Sequence, residues 1–503
     1  MPDRTVVTPT ARPAAPGVRP WPPTPRPGAL PWLVAVSGVY TVVQLWLTVP
    51  RTGLGWDETI YTSQVSGTIP AAFFSAPRAR GISFLAAPVA ELTTSTTALR
   101  VWMAVLSGAG LLLALWVWRN LVPVRVLALA GSLFAGLWIT LDYGAQVMPN
   151  LWSAYGVMLA TGCFLRAARD RTDRAALVGL VCGVTIVGLM RPPDAVWLAV
   201  PLLAVALAVP GWRRPWLMGV VLLGVVLGCG EWVVEAYVRF GGLAERLRLG
   251  SDIQGGMGLN FAVDDQIRSL DGRGLCRPCS IPWRHRGTGM WFFVLPVLAV
   301  GGAFAATAAR RRATALLPLL VAVFVSVPYL FLIDYAAPRF LLPAYLLLAV
   351  PVADCLWRLV TRRPHGRLRP AVVALVAAAV GTHLAIQFSV LAGTIQNNRA
   401  QHRIADAVSA TLHRAGVRPP CTVTGDSSVP VGYHAGCASR ETRGADTSIT
   451  TQGVRSLAGR MPVAVLVPHG QQPPPYARTW RAVPLPDRLH HAYISPTPPG
   501  RHR

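Results

Sequence analysis

Apolar residues fill long stretches of this 503-residue chain, and short polar connections separate them. A membrane-spanning helix needs roughly 20 mostly apolar residues. Eleven stretches meet or approach this length, and we predict a transmembrane helix in each. Their approximate bounds are 31–50, 98–118, 126–141, 147–165, 175–190, 195–211, 216–237, 289–309, 313–333, 339–357 and 371–392.

Composition supports a membrane protein. The chain is 52% hydrophobic and 14% charged, whereas soluble domains carry about 25% charged residues. All 47 basic residues are arginine, which together with the abundant Ala, Gly and Pro is typical of a high-GC bacterial genome. The net charge of +25 fits either a nucleic-acid partner or arginines that set membrane topology.

The positions of the arginines decide between these two interpretations. With the N-terminus in the cytoplasm, the predicted inner loops are rich in arginine, for example at 166–174, 310–312 and 358–369. The short outer connections hold only Arg191, with Arg339 at the edge of the last one. This asymmetry follows the positive-inside rule. We therefore predict a multi-pass protein of the cell membrane with a cytoplasmic N-terminus, an extracytoplasmic C-terminus and no nucleic-acid partner.

The same pattern divides the chain into three parts. Residues 1–30 are rich in Pro and Arg and are predicted to form a disordered cytoplasmic tail. The transmembrane domain covers 31–392 and has two long extracytoplasmic loops, at 51–97 and 238–288. Residues 393–503 are predicted to form a small extracytoplasmic α/β domain.

Local patterns in the last part support an α/β fold. Residues 399–415 have helical spacing of apolar side chains, and Gly416 follows them. The β-branched runs CTVTG at 421–425 and PVAVLVP at 462–468 are typical of strands. The predicted fold class is thus a mainly α membrane protein with a small α/β domain outside.

Four cysteines lie in the predicted extracytoplasmic parts: Cys276, Cys279, Cys421 and Cys437. An oxidising compartment favours disulfides, and of the three possible connectivities we favour the two local pairs. The alternatives for the CRPC motif are a redox site, which would need a βαβ context, and zinc, which would need further ligands nearby.

Polar features interrupt the apolar pattern at five places on the predicted outer face. The stretches are GLGWDETIY at 53–61, LDYGAQVMPN at 141–150, MRPPD at 190–194, the loop 251–273, and IDYAAPRFLLPAY at 333–345. Each alone can simply mark the membrane interface. Together they place arginines and carboxylates on one side of the membrane. Arginine suits phosphate because its planar fork gives bidentate hydrogen bonds, and a carboxylate suits general-base work.

In layout, residues 31–357 resemble the GT-C superfamily of membrane glycosyltransferases, which use polyprenyl-phosphate-linked sugars and include protein O-mannosyltransferases and aminoarabinose transferases. The resemblance rests on WDE at 56–58, soon after the first span, on RP at 191–192 and on RFLLPAYLLLAVP at 339–351. The tail and the 238–288 loop match no module that we can name.

The resemblance implies that the chain moves a sugar from a polyprenyl-phosphate donor to an acceptor hydroxyl with inversion. The acceptor would be a glycan, a lipid or a protein. Asp57 is the predicted general base, with Glu58 beside it as orienting group, second base or ligand of a divalent metal. Arg339 and Arg191 are predicted to bind the donor phosphate.

Three further residues, Tyr61, Asp142 and Tyr335, are predicted to contact sugar or acceptor. We expect no required cofactor and predict no metal ligands, although a divalent ion is used by some members of the superfamily. Two other classes remain open from the sequence: a transporter or lipid flippase, and a non-catalytic scaffold.

Overall fold

The computed structural model describes residues 28–277, 279, 282–283, 285–361, 368–487 and 490–496. The predicted N-terminal tail, residues 1–30, lies outside these ranges except for residues 28–30.

Helices make up most of the described chain. In chain order they are α1 (Ala29–Val43), α2 (Trp56–Ser63), α3 (Gly81–Ala90), α4 (Thr96–Trp116), α5 (Val124–Ala135), α6 (Trp138–Gly144), α7 (Pro149–Arg169), α8 (Arg174–Met190), α9 (Pro192–Ala208), α10 (Pro215–Arg239), α11 (Leu243–Ile253), α12 (Val263–Ser269), α13 (Met290–Ala308), α14 (Ala313–Phe331), α15 (Leu342–Thr361), α16 (Leu368–Arg414), α17 (Ser428–Ala435) and α18 (Thr451–Ala458).

Seven helices in the described ranges are long and apolar enough to cross a membrane, or eight if one bent pair counts as a single span. The bent pair is α5 and α6. Helices α8 and α9 are apolar but have only 17 residues each. The chain is thus a multi-pass membrane protein, as predicted, and the number of eleven spans stays a prediction.

The predicted span at 126–141 is broken in the structure. Its two helices meet at an angle of 77° around Gly136 and Leu137. The long helix α16 packs into this break, where a Cβ on Gly136 would lie 2.6 Å from the Leu384 side chain. The amide oxygen of Gln387 accepts a hydrogen bond from the backbone N–H of Trp138 at 3.0 Å. Since the first N–H groups of a helix lack partners within it, Gln387 supplies one for α6.

Both long loops contain helices. The first loop carries α2 and α3, and the second carries α11 and α12. Helix α2 packs against α17, so the first loop contacts the C-terminal domain.

Helix α16 joins two elements that the sequence separates. It runs without a break through the predicted last span at 371–392 and the predicted tail helix at 399–415. The predicted domain boundary at 392/393 therefore falls inside a helix, and the domain bounds stay predictions.

The C-terminal domain contains a five-stranded sheet. Its strands are β1 (Thr422–Gly425), β2 (Ala438–Ser439), β3 (Val463–Pro468), β4 (Arg481–Pro484) and β5 (His490–Ile494), in the order β2-β1-β3-β5-β4. Strand β1 is parallel to β2 and β3, whereas β5 is antiparallel to β3 and β4. The runs at 421–425 and 462–468 thus form β1 and β3, and the α/β character of this region is confirmed.

Both local cysteine pairs form, with Cα–Cα distances of 4.8 Å for Cys276–Cys279 and for Cys421–Cys437. The second disulfide joins the residue before β1 to the segment that follows α17, and so encloses α17 in a covalent loop.

Candidate active site

Helix α2 is the next α-helix after α1, and it carries both acids of the WDE motif, Asp57 and Glu58. The backbone N–H of Gly55 donates to Glu58 Oε2 at 2.9 Å, which stabilises the first turn. Successive residues of a helix point about 100° apart. Asp57 and Glu58 therefore face different surroundings although they are neighbours in the chain.

Asp57 lies between two arginines from distant parts of the chain. Its Oδ1 is 2.7 Å from Arg78 Nη1, and its Oδ2 is 3.2 Å from Arg339 Nη2. The Asp57 side chain nevertheless remains 34% exposed, against 13% for Arg78 and 12% for Arg339. We call these three residues the Asp57 cluster. It combines a solvent-accessible carboxylate with two oriented cations.

Arg339 stands at the turn that leads into α15 and makes further contacts with its second terminal nitrogen. This nitrogen, Nη1, donates to the Gly274 carbonyl at 2.8 Å and to the Tyr143 hydroxyl at 3.3 Å. These contacts hold the Arg339 guanidinium next to the Asp57 carboxylate.

Arg191 approaches the same place from the junction of α8 and α9. Its guanidinium carbon lies 5.4 Å from the centroid of the Phe340 ring, the same distance as that of Arg339. Arg191 Nε donates to the Tyr329 hydroxyl at 3.0 Å and lies 3.3 Å from Asp194 Oδ2. Arg191 and Arg339 thus both lie beside the Phe340 ring. The charge of Arg191, however, is already compensated by the buried carboxylate of Asp194.

The electrostatics of Asp57 follow from these neighbours. Burial by itself would raise the pKa of Asp57, but the charges of Arg78 and Arg339, with a smaller effect of Arg191, outweigh it. The pKa of Asp57 lies below its ordinary value, so the side chain is a carboxylate at neutral pH.

The two predicted tyrosines lie within the field of the same arginines. Burial raises the pKa of Tyr61 and of Tyr335, and the charges of Arg191 and Arg339 oppose this rise. Both side chains are therefore neutral phenols at neutral pH and can donate a hydrogen bond. Tyr61 also packs edge to face against Phe74 at 6.0 Å.

Glu58 has a different environment. Its carboxylate forms a two-pronged salt bridge with Arg100, with distances of 2.6 Å and 2.8 Å. The Glu58 side chain is 3% exposed and that of Arg100 is 2% exposed. The backbone N–H of Val147 also donates to Glu58, at 2.8 Å. We call this the Glu58–Arg100 pair, and it connects α2 to α4 and to the turn after α6.

Asp142 belongs with this buried pair more than with Asp57. It lies close enough to Glu58 and Arg100 for both charges to act on it. Gln146 donates to its Oδ2 at 2.9 Å. The neighbouring residue, Tyr143, is the one that contacts Arg339.

Sequence reasoning missed two members of the site, Arg78 and Asp446. Arg78 is the nearest cation to Asp57, and its Nη2 lies 3.5 Å from Asp446 Oδ1. The other oxygen of Asp446 accepts from the Trp56 indole N–H at 2.9 Å. Asp446 lies in the C-terminal domain, so only the fold brings it here. The sequence signal for Arg78 was its place in the loop that also carries Asp57.

A divalent metal does not fit the acids of α2 as they are arranged here. The oxygens of Asp57 face two guanidinium groups, and those of Glu58 face Arg100 and two backbone N–H groups. These partners already neutralise the charge that would attract a cation.

Comparison with known proteins gives a likeness in structure alone. No protein-family model matches the sequence, and no curated protein matches it. ArnT from Cupriavidus metallidurans, solved bound to undecaprenyl phosphate, superposes with a TM-score of 0.67 at 12% identity and covers 93% of this chain and 99% of its own. The archaeal oligosaccharyltransferase of Archaeoglobus fulgidus in the apo form gives a TM-score of 0.52 at 12% identity, over 87% of this chain and 69% of its own.

The structural likeness extends over both the helical region and the C-terminal domain, because 93% of the chain is covered. The fold is that of ArnT and of the oligosaccharyltransferase, so the predicted resemblance is confirmed at the level of the fold. The predicted fold class, a mainly α membrane protein with a small α/β domain, is confirmed as well.

Proposed function

We propose that this chain is a membrane glycosyltransferase that moves a sugar from a polyprenyl-phosphate donor to an acceptor hydroxyl on the outer face of the membrane. One observation carries the proposal: the partly exposed carboxylate of Asp57 lies between Arg78 and Arg339, with Arg191 flanking the same aromatic ring as Arg339. The fold supports it, since the structure of ArnT that it resembles holds undecaprenyl phosphate.

In this mechanism Arg339 binds the donor phosphate, and Arg191, which also lies beside Phe340, adds positive charge. An acceptor hydroxyl attacks the anomeric carbon while the bond from that carbon to the phosphate oxygen breaks. The polyprenyl phosphate leaves with the electron pair, and the arginines stabilise the negative charge that it gains. A single displacement inverts the anomeric configuration.

Asp57 takes up the proton of the attacking hydroxyl in the same step. Its carboxylate is ionised at neutral pH and is therefore ready to accept. Because Arg78 and Arg339 favour the charged form, Asp57 then releases the proton to solvent. Tyr61 and Tyr335 are the proposed hydrogen-bond donors to sugar or acceptor.

Glu58 has a positioning role in this proposal. The Glu58–Arg100 pair fixes the first turn of α2 and thereby the direction of Asp57. Asp142 supports the same buried region, and its neighbour Tyr143 helps to hold Arg339.

The places that contribute to the site support a transferase more than a transporter. Asp57 follows α1, Arg191 joins α8 to α9, and Arg339 joins α14 to α15. These are helix ends on the side that carries the C-terminal domain, whereas a transporter would bind its substrate near the membrane midplane. A scaffold without catalysis gives no reason for a partly exposed acid between two arginines.

Replacement of Asp57 by Asn tests the proposal. Membranes that contain the variant are incubated with a polyprenyl-phosphate-linked sugar and an envelope extract as acceptor. The donor sugar and the acceptor are first identified by comparing the envelope glycans of cells with and without the protein. We expect transfer to fall on the order of 100-fold or more, since a general base contributes about 10² to 10⁴ in rate.

The matched control is Glu91→Gln, which removes an exposed carboxylate from the same loop. It should leave transfer unchanged. If Asp57→Asn transfers sugar at the rate of the control, Asp57 is not the general base.

A further inference from the structure

Two histidines and an aspartate meet where the C-terminal domain contacts helix α16. His402 and Asp406 are four residues apart on α16, so they lie on the same face of the helix one turn apart. His434 lies in the last turn of α17, inside the covalent loop that the Cys421–Cys437 disulfide closes.

The three side chains point at a common position. His434 Nδ1 is 2.8 Å from Asp406 Oδ1, and His402 Nε2 is 3.6 Å from Asp406 Oδ2. One nitrogen or oxygen atom of each residue lies within 4.8 Å of the others. Ligands around one tetrahedral zinc ion are about 3.3 Å apart, from bond lengths of about 2.0–2.1 Å. The two measured separations, 2.8 Å and 3.6 Å, lie on either side of this value.

The His434 ring has a hydrogen-bond partner among the described residues, namely Asp406. The His402 ring does not. The distance from His402 Nε2 to Asp406 is longer than a hydrogen bond. Its other ring nitrogen, Nδ1, is buried and has no hydrogen-bond partner among the described residues. The His402 side chain is only 18% exposed, and a buried polar ring without partners costs free energy. A ligand at the shared position would give the Nε2 atom of this ring a partner, while Nδ1 lies against Gly53.

We propose that His402, Asp406 and His434 bind one divalent transition-metal ion, with Zn²⁺ as the best match. Two imidazoles and a carboxylate form a common zinc ligand set, and water completes the fourth position. The Asp406 side chain is 55% exposed, so solvent reaches the site from that side.

The metal site is separate from the Asp57 cluster but adjoins the segment that leads into α2. A Cβ on Gly53 would lie 2.7 Å from His402 Nδ1, so the absence of a side chain there leaves room for the imidazole. One turn earlier on α16, Asn398 Oδ1 accepts from the backbone N–H of Gly53 at 2.9 Å. A metal that joins α16 to α17 would therefore fasten the C-terminal domain beside the start of α2.

The test uses the full-length chain in detergent, purified with a tag that contains no histidine and stripped with a chelator. A second pair of histidines, His469 and His491, lies on the sheet with ring nitrogens 3.0 Å apart and is a competing site for metal. We therefore replace both by alanine and measure Zn²⁺ binding in that background by titration and by metal analysis after dialysis. Co²⁺ in place of Zn²⁺ reports the coordination by its visible absorption.

The background protein should bind one Zn²⁺ per chain, raise its Tm on binding and give the absorption of four-coordinate Co²⁺. Adding His402→Ala should remove binding, and adding Asp406→Asn should weaken it about tenfold or more. Asp406 is exposed, so this second variant keeps the test valid if His402→Ala fails to fold. The proposal is overturned if the background protein binds no Zn²⁺, or if both variants bind it as tightly as the background does. None of these readouts depends on sugar transfer.

Discussion

The Asp57 cluster and the Glu58–Arg100 pair begin at adjacent residues and yet differ in solvent exposure and in the partners of their carboxylates. The Asp57 side chain is 34% exposed, and its carboxylate forms ion pairs with two arginines that come from different loops. Glu58 is 3% exposed, and its carboxylate is saturated by one arginine and two backbone N–H groups. The first arrangement leaves room for a substrate to displace a partner, whereas the second one does not.

This difference shows why an acidic pair in a sequence does not reveal the roles of its members. Coulomb attraction is strong in both places, but only a site that solvent can enter can exchange a protein ion pair for a substrate. A buried ion pair stabilises a particular arrangement of the chain, because removing one partner leaves an uncompensated charge.

The largest effect on stability should come from Glu58→Gln. The change leaves the Arg100 guanidinium buried opposite a neutral amide, and breaking a buried pair in this way costs about 3–5 kcal/mol. Thermal or denaturant unfolding in detergent measures the loss. Asp57→Asn should alter the free energy of unfolding much less, since Arg78 keeps Asp446 as a partner. Were Glu58→Gln to unfold like the wild type and lose only transfer, Glu58 would have a catalytic role.

The two phosphate-binding arginines should differ in strength. Arg339→Ala is expected to raise the KM for the polyprenyl-phosphate donor about 10- to 100-fold, since a charge-assisted hydrogen bond is worth about 1.5–3 kcal/mol. Arg191→Ala should raise it less, because Asp194 already offsets the charge of Arg191. Steady-state kinetics over a range of donor concentrations measure both. Equal effects would show that the two arginines contact the phosphate alike.

Arg78 should control the pH dependence of transfer. In the wild type the low pKa of Asp57 keeps it ionised, so the acidic limb of transfer should lie below the ordinary aspartate pKa of about 3.9. Removal of Arg78 takes away a positive neighbour and raises the pKa of Asp57, so the protonated, inactive form appears at higher pH. The acidic limb of the pH–rate profile of Arg78→Ala should therefore move upward, while Arg51→Gln, an exposed arginine of the same loop, leaves it in place.

A smaller effect, on stability, is expected at Glu441. There burial outweighs the groups that favour the charged form, which is the opposite of the situation at Asp57. Burial raises the pKa of Glu441 to about 7. The negative charges of Asp446 and Asp426 add to this rise in pKa, whereas a hydrogen bond donated by Ser428 opposes it. The folded state then binds the proton more tightly than the unfolded state. Stability should decrease as the pH rises from about 4.3, the unfolded pKa, through 7.

The variant Glu441→Gln should remove this pH dependence. We expect it to unfold at a higher temperature than the wild type at pH 8 and at nearly the same temperature at pH 5. Hydrogen exchange of the C-terminal domain provides a local measurement. An unchanged difference between pH 5 and pH 8 in the variant would contradict the interpretation.

Local patterns predicted several elements of the fold well. The β-branched runs became β1 and β3, and three of the polar interruptions, at 141–150, at 190–194 and at the start of α15, lie at the ends of apolar helices. The short sequence separation within each cysteine pair also favoured the observed disulfides. These features depend on periodicity and proximity along the chain, which a sequence displays directly.

Features that depend on contacts across the fold were missed. The break at Gly136 forms where α16 packs, which the apolar run 126–141 does not indicate. Arg78 was one arginine among many until the fold placed it 2.7 Å from Asp57. His402 and His434 lie on different elements, and no spacing motif connects them.

The sequence by itself determined that this is a multi-pass membrane protein with an acidic pair after its first span and an α/β domain at its end. It did so because burial in lipid requires long apolar segments and strands require β-branched alternation. Only the tertiary structure decided which acid is available to a substrate and which is part of the buried framework. That choice depends on which distant arginine each carboxylate meets and on how much water reaches it, and neither quantity is a property of the local chain.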